Sequence, residues 1–425
     1  MPRITVNKVV LLTSLSFLTT IIYLFTSTSK TEINNYLDGT EYDFNPFETE
    51  IKYVRQRLDE VPDPSQNRVQ FMKLDDNAYA FSAFTDDRNG NMGHKYVRIL
   101  MFLAGDDEFS CMINGKRSYG VTLYELSENH RMLWGVYILN CVLPDGITFN
   151  DVNSIKISRL ATGSFVHVPI RYRIQDEKSM TPNEYDYKMS TCVPALFGNA
   201  YYARKLIEFV ELNNIQGIEK TYIYYNPVEV TDEATMKTLN YYSDNLKINL
   251  IEFVLPFSSR DVWYHGQLAA ITDCLLRNTG ITEYTFFNDF DEFFVPVQPD
   301  KSLLETVEGL FENRTIASLR TAVKFISTKI NRSPITLNNG VSTKQFETRF
   351  TKCVVRPEMV FEQGIHHTSR VIQDDYEAGF HDGSFLRVYH YRKPRYCCEE
   401  ESIVKQRYED QLQQEFDSIV QLLEV

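Results

Sequence analysis

Apolar and polar positions fall into two rhythms along the chain. Between about residues 68 and 175, short apolar blocks are separated by Asp/Asn/Gly turns: "AYAFSAF" (Ala78 to Phe84), "YVRILMFL" (Tyr96 to Leu103), "GVYILNCVL" (Gly135 to Leu143) and "SFVHVPIRYRI" (Ser164 to Ile174). Blocks of this length and composition predict strands of an antiparallel β domain. After about residue 190 strands and helices alternate. "TCVPALF" (Thr191 to Phe197) precedes a helical stretch with Leu206, Phe209 and Val210 on one face. "YIYYNP" (Tyr222 to Pro227) precedes a helix near Asp232 to Asn245, and "INLIEFVLP" (Ile248 to Pro256) precedes a helix capped by Asp261 and stopped by Gly280. "YTFF" (Tyr284 to Phe287) is the next strand. This alternation predicts a doubly wound, mostly parallel sheet with helices on both faces, whose ligands bind beyond the carboxyl ends of the strands.

"FFNDFDEFF" follows at such an end and sets Asp289, Asp291 and Glu292 among five phenylalanines. Buried carboxylates must find a partner or take up a proton. Alternate side chains of an x-D-x-D turn point the same way, so Asp289 and Asp291 can share an oxygen-liganded cation such as Mg²⁺ or Mn²⁺. The competing reading is a structural acidic turn.

An uncharged 17-residue run, "VVLLTSLSFLTTIIYLF" (Val9 to Phe25), follows Arg3 and Lys8. As a helix it would span about 25 Å, near the lower limit for a bilayer. It is longer than a usual signal-peptide core, which favours an uncleaved signal anchor with a luminal body over the alternative, a cleaved leader. The expected organisation is a cytoplasmic tail (1–8), an anchor (9–25), a stem (26–67), a smaller β-rich domain (68–185), the alternating α/β domain (186–395) and a C-terminal amphipathic helix (396–425). Sequons at Asn313 and Asn331 fit that compartment.

The chain has 425 residues, 43% of them hydrophobic, and a net charge of −13, so its cores can be large and it carries no basic footprint for nucleic acid. Its seven cysteines contain no C-x-x-C pair, and zinc is not indicated.

Several blocks, in order, resemble glycosyltransferase family 92: "AFSAFTDDR" (Ala80 to Arg88), "STCVPALFG" (Ser190 to Gly198), "FVELNNIQGIEKTYIYYN" (Phe209 to Asn226), "VWYHGQLAAITDCLLRN" (Val262 to Asn278), "FFNDFDEFFVP" (Phe286 to Pro296), "VVRPEMV" (Val354 to Val360), "GIHH" (Gly364 to His367) and "HYR" (His390 to Arg392). The resemblance implies a GT-A-type sheet, Mn²⁺ or Mg²⁺, a nucleotide-sugar donor, best UDP-galactose, and inverting β-galactosyl transfer to a glycan of a glycoprotein or glycolipid. With the anchor expected at 9–25, the chain reads as a single-pass type II membrane protein of the Golgi with a luminal catalytic domain. By position, Asp291 would bind the metal, Asp289 the metal, the ribose or a metal-bound water, and His390 would complete the metal site, with His366 and His367 as rivals. Glu292 would support these groups. Asn226, Gln267, Asp273 and Arg392 are expected near the nucleotide or its phosphates. The base that takes the acceptor proton is expected among Asp374, Asp375, Glu377 and Asp382, with Asp382 chosen. The rival readings are an inactive carbohydrate-binding homologue and a transferase of another sugar.

Overall fold

A computed structural model describes residues 54–57, 71–88, 94–105, 107–175, 185–197, 202–392 and 398–425. The expected anchor (9–25) lies outside the described residues, as does the stem except for 54–57. Among the described residues no helix is long and apolar enough to cross a membrane.

The first ten strands are β1 (Val54–Arg57), β2 (Met72–Asp75), β3 (Ala78–Asp86), β4 (Tyr96–Leu103), β5 (Phe109–Ile113), β6 (Lys116–Arg117), β7 (Val121–Glu125), β8 (Gly135–Val142), β9 (Ser154–Arg159) and β10 (Phe165–Gln175). They form one sheet in the order β6-β5-β9-β10-β3-β4-β8-β7, with β1 on β10 and β2 on β3. Only the β10–β3 pair is parallel. The sheet curls until β5 approaches β8, although four strands separate them in that order, and the Cys111–Cys141 disulfide joins them. Ala80, Ile99, Leu139 and Phe149 fill the inside of that curl. Phe81, Leu100, Phe102 and Ile138 face the other way, into a core shared with the rest of the chain. This explains why β4 and β8 are almost continuous apolar runs: both of their faces are buried.

The second sheet opens with β11 (Tyr187–Leu196), α1 (Ala203–Ile215), β12 (Lys220–Tyr225), α2 (Glu233–Asp244), β13 (Ile248–Glu252), α3 (Gln267–Asn278), β14 (Thr282–Phe287) and β15 (Glu292–Pro296). It continues with α4 (Leu303–Leu310), β16 (Ile316–Ile326), α5 (Ile335–Asn338), β17 (Val341–Ser342), β18 (Glu347–Val355), β19 (Val360–Gln363), β20 (Thr368–Val371), β21 (Glu377–His381), β22 (Leu386–Tyr391), β23 (Glu399–Glu400) and α6 (Ile403–Leu423). The order is β13-β12-β11-β14-β18-β16-β17-β23, with β21 and β22 on β16 and β15 on β22; β19 and β20 form a separate pair.

The expected mostly parallel sheet with a helical layer on each face is corrected here. The neighbours β13, β12, β11 and β14 are parallel, but β14–β18, β18–β16 and β15–β22 are antiparallel. Beyond Phe287 the regular alternation of strand and helix ends: β15 starts after a four-residue turn, Asn288–Asp291, and the later strands mix directions, β16 lying parallel to β21 and β22 but antiparallel to β18. One face is covered by α1 and α6, whose Val404, Tyr408, Leu412, Phe416, Ile419 and Leu423 form one buried stripe. The opposite face packs α3 and, beside it, the first sheet. Helix α3 also begins later than Asp261, because Trp263–Gly266 form a 3₁₀ turn with left-handed residues. Residues 52–425 form one compact unit.

Candidate active site

At the carboxyl end of β14 the chain turns through Asn288, Asp289, Phe290 and Asp291. Asn288 closes the turn: its Oδ1 accepts from Thr191 Oγ1 at 2.6 Å and its Nδ2 donates to the Glu292 carbonyl at 2.7 Å. Phe290 drops into the core against Phe209, with ring centroids 4.7 Å apart, and Phe286, Phe293 and Phe294 are buried as well. The phenylalanines are therefore strand core, and the acids are left at the edge. The side chains of Asp289 and Asp291 are 39% and 44% exposed, while Glu292 is 2% exposed.

Two cations meet these acids. Lys352 of β18, 3% exposed, places Nζ 2.8 Å from Asp289 Oδ2 and 3.1 Å from Glu292 Oε2. His390 of β22 lies opposite Glu292 in the β15–β22 ladder. Its Nε2 is 3.1 Å from Asp291 Oδ2, and its Nδ1 is 3.0 Å from Glu292 Oε1, a charge contact at an angle too poor for a hydrogen bond. Burial penalises the charged Glu292 carboxylate, but Lys352 and His390 outweigh it and hold that group well below the usual carboxylate range. Glu292 also accepts the Asp289 backbone N–H at 3.0 Å. Crowding takes water from Asp289 and pushes its carboxyl up against the pull of Lys352. The His390 imidazole is lowered by burial and raised more by Asp291 and Glu292, ending at about 9.

A divalent cation fits part of this set. Asp291 Oδ2 and His390 Nε2, at 3.1 Å, have the spacing of adjacent ligands around an ion with bonds of about 2.1 Å. Among the described residues no group of three or more ligating side chains is gathered, so other oxygens would have to come from a bound diphosphate and water. Asp289 is turned to Lys352.

The other expected site residues scatter around this centre. Asn226 follows β12 at the same edge and accepts the Val228 N–H at 3.0 Å. Gln267 is buried at the first turn of α3. Asp273 is fully buried, with Oδ2 2.5 Å from both Tyr224 Oη and Arg277 Nε, so it serves the core between α3 and β12. Arg392 sits over the Phe325 ring at 5.5 Å, and that ring lies 5.3 Å from His390. His366 is half-buried beside the cluster, its pKa lowered by burial and by Lys352, whereas His367 pairs with Glu128 at 3.3 Å. Asp382 is exposed in the turn between β21 and β22 and accepts the Ser384 N–H at 2.9 Å. Asp374, Asp375 and Glu377 are exposed. No motif in the sequence marks Lys352. Its one signal is a lysine beside the apolar run "CVV" (Cys353 to Val355), and only the register Phe287↔Cys353 brings it to the acidic turn.

Comparison with known proteins identifies the family. The chain is 64% identical over 428 residues to a β-1,4-galactosyltransferase of Caenorhabditis elegans, covering 100% of both chains. A glycosyltransferase family 92 protein of Ricinus communis is 29% identical over 37% of this chain and 27% of its own. A galactan β-1,4-galactosyltransferase of Arabidopsis thaliana is 28% identical over 31% of this chain and 27% of its own. The profile of glycosyltransferase family 92 matches residues 187–421, which begin at β11 and end in α6. The protein is a glycosyltransferase, and it belongs to glycosyltransferase family 92.

Proposed function

We propose that the protein transfers galactose from UDP-galactose, with inversion, into a β-1,4 linkage on a glycan acceptor. The observation that carries the choice of sugar and linkage is the full-length 64% identity to a β-1,4-galactosyltransferase. Asp291 and His390 would hold Mn²⁺ or Mg²⁺ at the carboxyl edge of the sheet, beside the donor diphosphate. When bound, the cation supplies charge neutralisation to the departing diphosphate. Glu292 orients His390 from behind, and Lys352 fixes Asp289, leaving the outer edge of that carboxylate free to accept a donor hydroxyl. In the reaction the acceptor oxygen bonds to the anomeric carbon as the carbon–phosphate oxygen bond breaks, and the acceptor proton passes to a base. Asp382 is held in its own turn, so if it is that base, the bound acceptor must reach the β21–β22 turn.

The Cys111–Cys141 and Cys192–Cys274 disulfides support an oxidising compartment, and the Golgi lumen is the proposed location. The test is release of UDP and formation of a galactosylated product by the full-length protein, with a panel of nucleotide sugars and with Mn²⁺, Mg²⁺ or chelator. UDP-galactose as the preferred donor and loss of turnover with chelator are expected. Preference for another nucleotide sugar would overturn the sugar assignment, and full turnover in chelator would overturn the metal.

A further inference from the structure

Two loops at the seam between the sheets hold left-handed backbone that their residues adopt at a cost. In the first, His130 and Arg131 have φ of +52° and +57°. In the second, Tyr264 and His265 have φ of +45° and +57°, followed by Gly266 at +78°. A Cβ at Gly266 would also be crowded, standing 3.2 Å from the Phe253 ring. Aromatic residues rarely take this conformation, and where the surroundings enforce it the strain points to a site.

The surroundings do enforce it. Trp134 N donates to Asp261 O at 2.9 Å and Trp134 bridges Val262, so the first sheet is stitched to the second loop. The His130 and Trp263 rings meet with centroids 4.0 Å apart. His265 stacks on Phe197 at 3.7 Å and 10°, and Phe197 directly follows β11, at the sheet edge that carries Asp289. His265 Nδ1 is enclosed without a hydrogen-bond partner. Tyr264, next to Trp263, is left 60% exposed. A cavity of about 410 Å³ opens beside His130, lined by Glu125, Leu126, Ser127, Asn129, His130 and Arg131. Glu128, between the lining residues Ser127 and Asn129 in sequence, accepts the Ile365 N–H at 2.9 Å, one residue before His366, which lies beside the carboxylate cluster.

We propose that this wall is the acceptor subsite and that a neutral pyranose of the acceptor glycan packs on Tyr264 while its hydroxyls reach the polar lining of the cavity. The inference rests on the galactosyl-transfer reading above. A sugar ring presents C–H faces to an aromatic face and hydroxyls to its rim, and pockets that take such ligands pair aromatic walls with a few fixed polar groups. One acid, Glu125, and one base, Arg131, line the cavity, which balances its charge and favours a neutral ligand over an anionic one. The stitched backbone keeps the wall formed before binding.

The test compares Tyr264→Gly and Tyr264→Phe with wild type in the full-length protein, using UDP-galactose and a panel of labelled oligosaccharides ending in each common animal monosaccharide. Glycine suits the left-handed backbone better than tyrosine, so a purely structural role predicts an equal or higher Tm with unchanged kinetics. The acceptor role predicts that same Tm together with a KM for the best oligosaccharide at least tenfold higher and kcat within threefold. Tyr264→Phe keeps the ring and should stay within threefold of wild type in KM. An unmoved acceptor KM in Tyr264→Gly, or a KM raised equally in Tyr264→Phe, would overturn the platform while leaving galactosyl transfer intact. A wild type that transfers to no member of the panel would overturn both.

Discussion

Lys352 Nζ lies 2.8 Å from Asp289 Oδ2, across the register that sets β18 against β14, and the same ammonium is 3.1 Å from Glu292 Oε2. The first acid of the D-x-D turn is thereby tied to a buried cation, while the second, Asp291, faces His390. Burial disfavours a charged lysine, yet the two carboxylates outweigh that effect and raise the Lys352 pKa. We predict that Lys352→Met leaves Asp289 without a counter-charge and Glu292 with His390 alone. The loss should be about 3 kcal/mol, the lower end for a broken buried pair because Asp289 is partly open to water. Urea unfolding measures it, and adding Asp289→Asn to Lys352→Met should return part of the loss. If the double variant is no more stable than Lys352→Met, the pairing is not what Lys352 is for.

Asp291→Asn should keep the fold, since the amide is nearly isosteric and the group is 44% exposed. Transfer is predicted to fall by two or more orders of magnitude, about 3 kcal/mol of lost transition-state stabilisation. Asp289→Asn should cost less, because Lys352 already occupies one of its oxygens. Turnover at saturating donor, beside thermal shift with Mn²⁺ plus UDP, checks both. A fully active Asp291→Asn would return the turn to a purely structural role.

Glu208 of α1 is buried and accepts the backbone N–H groups of Ile335 and Thr336, each at 2.7 Å. Burial pushes its carboxyl up from 4.5 to about 7, against the opposing pull of those amides. A raised acid pKa means that folding takes up a proton. The stabilising contribution is complete below about pH 4.5 and is lost as pH rises through about 7, by on the order of 3 kcal/mol. We predict that Glu208→Gln flattens the pH dependence of stability in this window. Unfolding free energies at several pH values read this directly, and an unchanged slope would assign the dependence elsewhere.

The Cys192–Cys274 disulfide joins β11 to α3 across 82 residues of sequence. Replacing both cysteines with alanine should lower stability by about 2–4 kcal/mol, chiefly by freeing the unfolded chain. Because β11 and β14 are adjacent in the sheet, the transfer rate should change far less than it does on losing Asp291. A comparison of urea midpoints and turnover under non-reducing conditions tests this, and an unchanged midpoint would show that the crosslink contributes nothing.

Much of the fold is written in local pattern. Alternation and apolar runs mark the strands at Ala78, Tyr96, Gly135 and Thr282, because the period of side chains along a strand is a property of neighbouring residues. The same is true of "FFNDFDEFF", where phenylalanines at strand positions and acids in the turn between them foretell that only the acids reach the edge. His390 is marked only by the resemblance of "HYR", since nothing local ties it to a turn 99 residues earlier. What the tertiary structure decided is pairing. The β-α alternation up to Phe287 reads as a parallel sheet, but which strand lies beside β14 depends on β18, more than 60 residues later, and that neighbour is antiparallel. The same pairing delivers Lys352 to Asp289. The packing of α3 on β12 sets Asp273 against Tyr224, beside Arg277 of its own helix, and the bridge from Trp134 to Val262 ties the strained turn of Tyr264 to the first sheet. A side chain's face follows from its neighbours in the chain. Its charge partner follows from strand register, which is fixed only when whole sheets bury their apolar faces together.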